Sequence, residues 1–130
     1  MTDPAKRMNI GATTIILPST ARFVHLLKTL TSATMTLEEN GVDYIVPVSK
    51  KLWILKTNLY DVDSNVSCYI KKHTVVDTDA GTQIEDMEYK FISGIVSFDH
   101  DVSVEAGKYI NFHASDLGVI VNLFGVELDA

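Results

Sequence analysis

The sequence predicts an all-β protein, a two-sheet antiparallel sandwich of about eight strands with jelly-roll-like connections. Three observations predict it. Valine, isoleucine and threonine are abundant along the chain, and β-branched residues fit a pleated sheet better than a helix. Apolar side chains recur at every second position in several segments, and polar turn residues lie between those segments. An open barrel is the alternative arrangement of the same strands.

Length and charge limit what the chain can be. Its 130 residues suit one domain and are too few for two ordinary ones, and 46% of them are hydrophobic, so a core needs no disulfide or metal. The net charge of −6 disfavours broad contact with phosphate groups. We therefore expect no nucleic-acid partner and no membrane partner, and no segment has the pattern of a signal peptide.

The chain is expected to begin with an arm. Residues 1–17 are predicted to form an N-terminal arm, flexible at its start, and residues 18–130 to form the β-sandwich domain. The arm contains an apolar group that we predict to be an intermolecular interface, and its members are Ile10, Ile15, Ile16 and Leu17.

Residues 20–33 fit two structures. Phe23, Leu26, Leu27 and Leu30 match a helical stripe as well as a strand. The threonine-rich run that follows disfavours a helix, so a strand is the preferred interpretation.

The following segments show the alternation of a half-buried strand. Their apolar positions are Val42, Tyr44, Val46 and Val48; Trp53, Leu55 and Leu59; Val66, Cys68 and Ile70; Met87, Tyr89 and Phe91; and Ile110, Phe112 and Ala114. Residues 118–128 are apolar on both parities, which is typical of a central strand covered on both sides or of a strand inside an oligomer. The predicted core residues are Tyr44, Val46, Trp53, Leu55, Ile70, Phe91, Ile110, Phe112, Val121 and Phe124.

Residues that could carry chemistry are sparse and scattered. The four histidines have no spacing that brings two of them near a third ligand, and Cys68 lies on an apolar parity, where a buried side chain is expected. Residues 61–65 resemble the start of a calcium loop, but Val66 and Lys72 replace its required glycine and glutamate. We therefore predict no catalytic residue, no metal site and no cofactor.

Three turn-and-strand motifs carry family information. Residues 46–55 (VPVSKKLWIL) place Val-Pro before two lysines and a tryptophan. Residues 104–110 (VEAGKYI) contain an Ala-Gly turn that is expected to enter a late strand, and residues 118–127 (GVIVNLFGVE) are expected to form a closing strand. Together these motifs resemble those of small β-sandwich structural proteins from tailed-bacteriophage virions, in which glycine is the commonest residue at the position of Ser49.

This resemblance implies a non-enzymatic virion protein, such as a head-decoration, neck or tail-accessory component. It implies self-association, with a trimer favoured, and contacts with other virion proteins such as the major capsid or tail proteins. It also implies synthesis in the host cytoplasm and final location in the virion.

Two other functions fit a β-sandwich. A carbohydrate- or receptor-binding module would use exposed aromatic rings, for which Trp53 and Tyr60 are the candidates. An enzyme with a cupin-like metal site is the third possibility, and bound transition metal would identify it.

Overall fold

The computed structural model describes residues 6–10, 13–62, 66–89 and 94–130. The strands in these ranges are β1 (Lys6–Ile10), β2 (Thr13–Leu17), β3 (Arg22–Thr29), β4 (Thr34–Thr36), β5 (Glu38–Glu39), β6 (Val42–Asp43), β7 (Lys50–Val62), β8 (Val66–His73), β9 (Thr82–Tyr89), β10 (Gly94–Glu105), β11 (Tyr109–Ala114) and β12 (Ile120–Asp129). The all-β prediction is confirmed. Within these ranges, no helix has the length and apolar character that crossing a membrane requires.

Two antiparallel sheets form the sandwich. The larger sheet has the strand order β10-β7-β12-β3-β5-β6, the smaller has the order β4-β11-β8-β9, and β1 pairs with β2 separately. The eight main strands are β3, β4 and β7 to β12. The first of them pairs with the last, the second with the second last, and so on: β3 with β12, β4 with β11, β7 with β10, and β8 with β9. This nesting is a long double ribbon folded into two sheets, which is a jelly-roll-like connectivity.

The main core lies between the two sheets. Fully buried side chains from the larger sheet include Leu26, Ile54, Leu59, Val121 and Leu123, and those from the smaller sheet include Cys68, Ile70, Ile110, Phe112 and Ala114. Six of the predicted core residues are buried: Tyr44, Val46, Ile70, Ile110, Phe112 and Val121. Phe91 lies outside the described residues. The predicted burial of Phe124 is wrong, because its side chain remains 37% exposed.

Strand β7 carries one residue more than its neighbour β12 can pair. Phe124 of β12 lies opposite Lys56, and the next residue, Gly125, lies opposite Ile54, so that Leu55 has no partner in this register. This is a β-bulge, which changes the side of the sheet to which later residues point.

The bulge explains why the predicted parity of β7 is wrong. The sequence places Trp53, Leu55 and Leu59 on one face, but only Leu59 is fully buried between the sheets, whereas Trp53 and Leu55 are partly buried on the opposite face. Four side chains of β7 point into the main core: Leu52, Ile54, Thr57 and Leu59. Because the bulge shifts the alternation by one, both the pair before it and the pair after it face inwards.

Strands β3 and β12 confirm two predictions. The segment that fitted both a helix and a strand contains strand β3, in which Val24 and Leu26 are buried and their neighbours are exposed. Strand β12 lies between β7 and β3, at the centre of the larger sheet. It is apolar on both parities because Val121 and Leu123 enter the main core, whereas Val126 enters a second cluster on the other face.

The long strand that alternation predicts around residues 42–48 is wrong. Strand β6 contains two residues, and Ile45 then makes an isolated bridge to Tyr109. Tyr44 and Val46 are buried, but the chain turns at residues 47–50, because Pro47 lacks the N–H that a continuing ladder would need.

A second apolar cluster covers one end of the larger sheet on its outer side. Leu17, Ala21 and Val126 are buried there, with Trp53, Leu55 and Leu128 packed around them. The N-terminal arm therefore includes an antiparallel hairpin, β1–β2, whose last residue contacts the domain. Residues 1–5 and 11–12 lie outside the described part of the chain, and the domain boundary at residue 17 stays a prediction.

The turn before β7 has the backbone geometry of a glycine position. The Lys50 N–H donates to the carbonyl oxygen of Pro47 at 3.1 Å, and Ser49 has a φ of 64°. A residue other than glycine is strained in this left-handed region. Ser49 thus takes a conformation that a glycine would adopt freely.

Replacing Ser49 with glycine should therefore stabilise the protein, by up to about 1 kcal/mol, because the strain at a positive φ disappears. Urea unfolding monitored by circular dichroism measures the change. Ser49→Ala is the matched control, since it also removes the hydroxyl but retains a Cβ. Equal stability of the glycine and alanine variants would contradict this explanation.

Adjacent residues of β12 should respond differently to truncation. Leu123→Ala creates a cavity in the main core and should lower the free energy of unfolding by about 2–5 kcal/mol. Phe124→Ala removes a ring on the outer face and should cost about 1 kcal/mol. The same urea titrations test both. A larger loss for Phe124→Ala than for Leu123→Ala would mean that the two faces have been assigned the wrong way round.

Candidate interaction surface

The outer side of the larger sheet is covered over only part of its length. The second cluster covers the end at Val126 and Trp53. Beyond it, four strands present exposed or half-exposed side chains, which we call the open face: Phe23, His25 and Leu27 of β3; Asn122 and Phe124 of β12; Lys56, Asn58 and Tyr60 of β7; and Ile95, Ser97 and Asp99 of β10. The register aligns these residues on one side of the sheet.

Apolar and aromatic side chains dominate one margin of the open face. Phe23 is 52% exposed, Leu27 46% and Phe124 37%, and on the far strand Ile95 is 63% exposed. The rings of His25 and Phe124 are stacked, with centroids 4.7 Å apart and planes within 4° of parallel. This stack forms because His25 and Phe124 are register partners on neighbouring strands.

Polar groups in the middle of the open face are held in fixed positions. His25 Nε2 lies 2.8 Å from Asn122 Oδ1, and the Ser97 hydroxyl donates to Asn58 Oδ1 at 2.7 Å. Asn58 and Asn122 are themselves register partners. Two amides at the centre of an aromatic surface offer directional hydrogen bonds to whatever covers them.

The open face carries little charge for a protein in which 22% of residues are charged. Within the set defined above, the charged side chains are Lys56 and Asp99, which are register partners on β7 and β10. Enrichment in aromatic residues and depletion of charge at the centre are typical of protein interfaces.

A shallow cavity of about 400 Å³ borders the open face. Its lining residues are His25, Leu27, Lys28, Thr29, Glu38, Asn40 and Gly41. Two of these lining residues form an ion pair, in which Lys28 Nζ donates to Glu38 Oε1 at 2.8 Å. The cavity lies where the β5–β6 hairpin meets β3, so a neighbour on the open face could insert a side chain there.

The edges of the two sheets are poorly suited to pairing with another chain. Strand β10 has two register shifts and carries Asp99, Asp101 and Glu105. Strand β9 carries Glu85 and Asp86 beside a register shift, and the other two edge strands, β4 and β6, have three and two residues. Irregular, short or charged edges discourage strand addition. Contact through the open face is therefore favoured over contact through an edge.

A buried carboxylate on β12 and an arginine on β3 link these strands to β5 within the larger sheet. The side chain of Glu127 is 5% exposed and accepts hydrogen bonds from Arg22 Nε at 3.0 Å, Arg22 Nη2 at 2.8 Å and the Tyr44 hydroxyl at 2.7 Å. Arg22 also donates to both oxygens of Glu39. One guanidinium thus joins β12, β3 and β5, and we call this group the Arg22 clamp.

Hydrogen bonding determines the ionisation of the clamp. Burial acts to raise the pKa of Glu127, but the hydrogen bonds from Arg22 and Tyr44 outweigh it and hold that pKa below its usual value of 4.5. Burial and the neighbouring Glu127 carboxylate raise the pKa of Tyr44. Glu127 is therefore charged and Tyr44 neutral at pH 7.

The structure disperses the groups that could carry catalysis. Cys68 is fully buried in the core, and burial raises the pKa of its thiol to about 12. His113 is stacked on Tyr69, His25 lies on the open face, and His100 is enclosed between the sheets. In the described ranges, no three His, Cys, Asp or Glu side chains converge as a metal site would require. The side chains of residues 61–65 lie outside the described part.

The two aromatic residues predicted for sugar binding are far apart. Trp53 and Tyr60 lie seven residues apart on β7, which is roughly 20 Å along a strand. Trp53 is half-buried in the second cluster, and its indole N–H donates to Asp101 at 2.7 Å. Tyr60 lies on the open face, so these two rings cannot stack on the same sugar.

The predicted interface residues are distributed over the N-terminal hairpin. Ile16 is 59% exposed, whereas Leu17 is buried in the second cluster. The side chains of Ile10 and Ile15 lie outside the described residues. Whether this group contacts another protein stays a prediction.

The sequence analysis missed the open face. A signal existed in β3, where Phe23 and Leu27 are apolar although they alternate with the buried Val24 and Leu26. A strand that is apolar on both parities needs cover on both faces. Only the structure shows that this part of the larger sheet lacks that cover from the described residues.

Neutralising Glu127 should destabilise the protein strongly. Glu127→Gln keeps the side-chain shape but removes the charge that pairs with Arg22, and we expect a loss of about 2–4 kcal/mol at pH 7 by urea unfolding. Glu38→Gln, which breaks the more exposed pair with Lys28, is the control and should cost about 1 kcal/mol or less.

The pH dependence has a definite sign. Because the pKa of Glu127 is lower in the folded protein than its usual 4.5, its stabilising effect is complete above that value and is lost as the pH falls through the folded-state pKa. The difference between wild type and Glu127→Gln should therefore shrink in acid. A difference that grows below pH 4 would contradict the role assigned to the clamp.

Comparison of the chain with protein-family models, with curated proteins and with solved structures finds no match. The function of the open face is therefore inferred from its own geometry and chemistry.

Proposed function

We propose that this protein is a non-enzymatic structural component of a tailed-bacteriophage virion, which assembles by self-association through the open face. The proposed roles are head decoration, neck or tail accessory, and other virion proteins, such as the major capsid or tail proteins, are the further partners. The protein would be made in the host cytoplasm and end in the particle.

The main support for the proposed self-association is the composition of the open face. It combines exposed Phe23, Leu27 and Phe124 with ordered amides and a bordering cavity, on a rigid sheet. A surface of this composition gains free energy when another protein covers it, because apolar area leaves water without burying many charges.

Charge favours a second copy of the chain as the occupant. Two copies with a net charge of −6 each repel one another, and this repulsion is smallest when contact is made through a surface with few carboxylates. The open face is such a surface, and it carries both Lys56 and Asp99. Copies related by symmetry could place the lysine of one beside the aspartate of the other. A closed oligomer, first of all a trimer, is the assembly that we propose.

The assignment to a virion is supported by the three motifs and by the sandwich. The jelly-roll-like connectivity belongs to a class of folds that includes viral capsid domains. Ser49 adopts the left-handed conformation that suits the commonest glycine of the first motif. A buried, unreactive Cys68 is in keeping with a protein that does no covalent chemistry.

Self-association can be tested by size-exclusion chromatography with light scattering. The wild type should have at least twice the 14.4 kDa mass of one chain, and three times that mass if it is a trimer. Leu27→Asp and Phe124→Asp place a charge on the open face and should weaken association by about tenfold or more. Val48→Asp is the matched control, because Val48 is 87% exposed in a turn away from this face.

Circular dichroism of each variant shows whether it is folded. A wild type that is monomeric at all accessible concentrations would contradict the proposal, as would equal effects of all three aspartate variants. Mass spectrometry of purified particles tests the second part of the proposal, since a virion protein is present in stoichiometric amounts. A monomer that binds glycans through the open face would favour the carbohydrate-binding alternative.

A further inference from the structure

A buried histidine lies between the two sheets on the side where their edges meet. His100 belongs to β10, the edge strand of the larger sheet, and its side chain is 1% exposed. Its inward-pointing neighbours on the same strand are apolar: Val96, Phe98, Val102 and Val104. A titratable group in such a row requires partners, because desolvation disfavours its charged form.

The partners of His100 come from two other strands. Its Nε2 lies 2.9 Å from the hydroxyl oxygen of Thr57, a fully buried residue of β7. Its Nδ1 lies 3.7 Å from an Oε2 of Glu85 on β9, the edge strand of the smaller sheet. Nδ1 has no hydrogen-bond partner in the described part of the chain. His100 thus faces a carboxylate across the gap between the sheets without being bonded to it.

These contacts favour one neutral tautomer. A bare Nδ1 lone pair would face the Glu85 carboxylate and be repelled by it, so we place the proton on Nδ1. Nε2 then accepts a hydrogen bond from the Thr57 hydroxyl. Protonation would add a hydrogen to Nε2, which would turn this acceptor into a donor and force the Thr57 hydroxyl to reverse.

We propose that His100, with Glu85 and Thr57, acts as a proton-sensitive latch: the closed β9–β10 side of the sandwich accommodates the neutral imidazole, so this side is stable at neutral pH and loosens when acid protonates the buried ring. This inference concerns a different part of the molecule from the proposed function and does not depend on it.

The direction of the effect follows from the charges around His100. Burial lowers the pKa of His100 below its ordinary value of 6.5, and Glu85 on β9 and Asp99 on β10 oppose this shift without cancelling it. Thr57 on β7 adds no charge. Any state in which water reaches the imidazole therefore binds the proton more tightly than the closed state does. Stability is complete above pH 6.5 and falls as the pH drops towards the folded-state pKa.

The wild-type protein itself provides the first test. The imidazole resonances of His100 in an NMR titration should have a midpoint below 6.5, and amide-exchange protection across residues 94–105, corrected for intrinsic rates, should fall from pH 7.5 to pH 5.5. A midpoint at or above 6.5 would overturn the latch, and so would protection that is unchanged between the two pH values.

The second test removes the titrating group. The folding equilibrium constant of the wild type should fall about threefold or more further than that of His100→Gln between pH 7.5 and pH 5.5, since each unit of pKa displacement corresponds to a factor of ten. His73→Gln, at the end of β8, is the control and should follow the wild type. If His100→Gln loses stability in acid as much as the wild type does, the latch is disproved. If His100→Gln does not fold, the NMR titration of the wild type still decides the question.

Discussion

One extra residue in β7 determines which side chains face inwards and which form the surface of the larger sheet. Because Leu55 is bulged, Leu52 and Ile54 before the bulge and Thr57 and Leu59 after it all face the main core. The central strand β12 stays regular beside it, so one of its faces closes the main core. The other face is divided between the second cluster and the open face. The main core and the open face thus depend on the same irregularity.

The buried polar side chains include Glu127 of the Arg22 clamp and the pair formed by His100 and Thr57. The Arg22 clamp joins three strands of the larger sheet through a carboxylate that is charged and almost completely buried. His100 and Thr57 occupy the gap between the sheets where β9 and β10 meet. The clamp contributes stability over the whole neutral range, whereas the histidine makes one side of the sandwich sensitive to mild acid. Both contributions are lost as the pH falls, but in different ranges, because hydrogen bonds hold the pKa of Glu127 below 4.5 and desolvation lowers the pKa of His100 from 6.5.

The proposed assembly through a face, and not through an edge, is consistent with the rest of the architecture. Strand edges offer unpaired backbone groups to any chain, and this protein keeps its described edges short, irregular or acidic. A face selects its partner by side-chain shape and chemistry. Contact through a face is therefore more specific than contact through an edge, and it carries less risk of aggregation.

The sequence by itself determined the strand-rich class, the position of β12 at the centre of a sheet and six of the ten core residues that it predicts, because side chains two apart on a regular strand face the same side. It did not reveal the bulge at Leu55, the end of pairing after β6 or the exposure of Phe124, since these depend on which strands become neighbours. Asn111 shows the same limit: alternation marks it as a surface residue, yet it is buried beneath residues 75–78 and bonds to Thr36 and to the carbonyl oxygen of Val75. Local periodicity reports the two faces of a strand, but only the packed tertiary structure decides what covers each face.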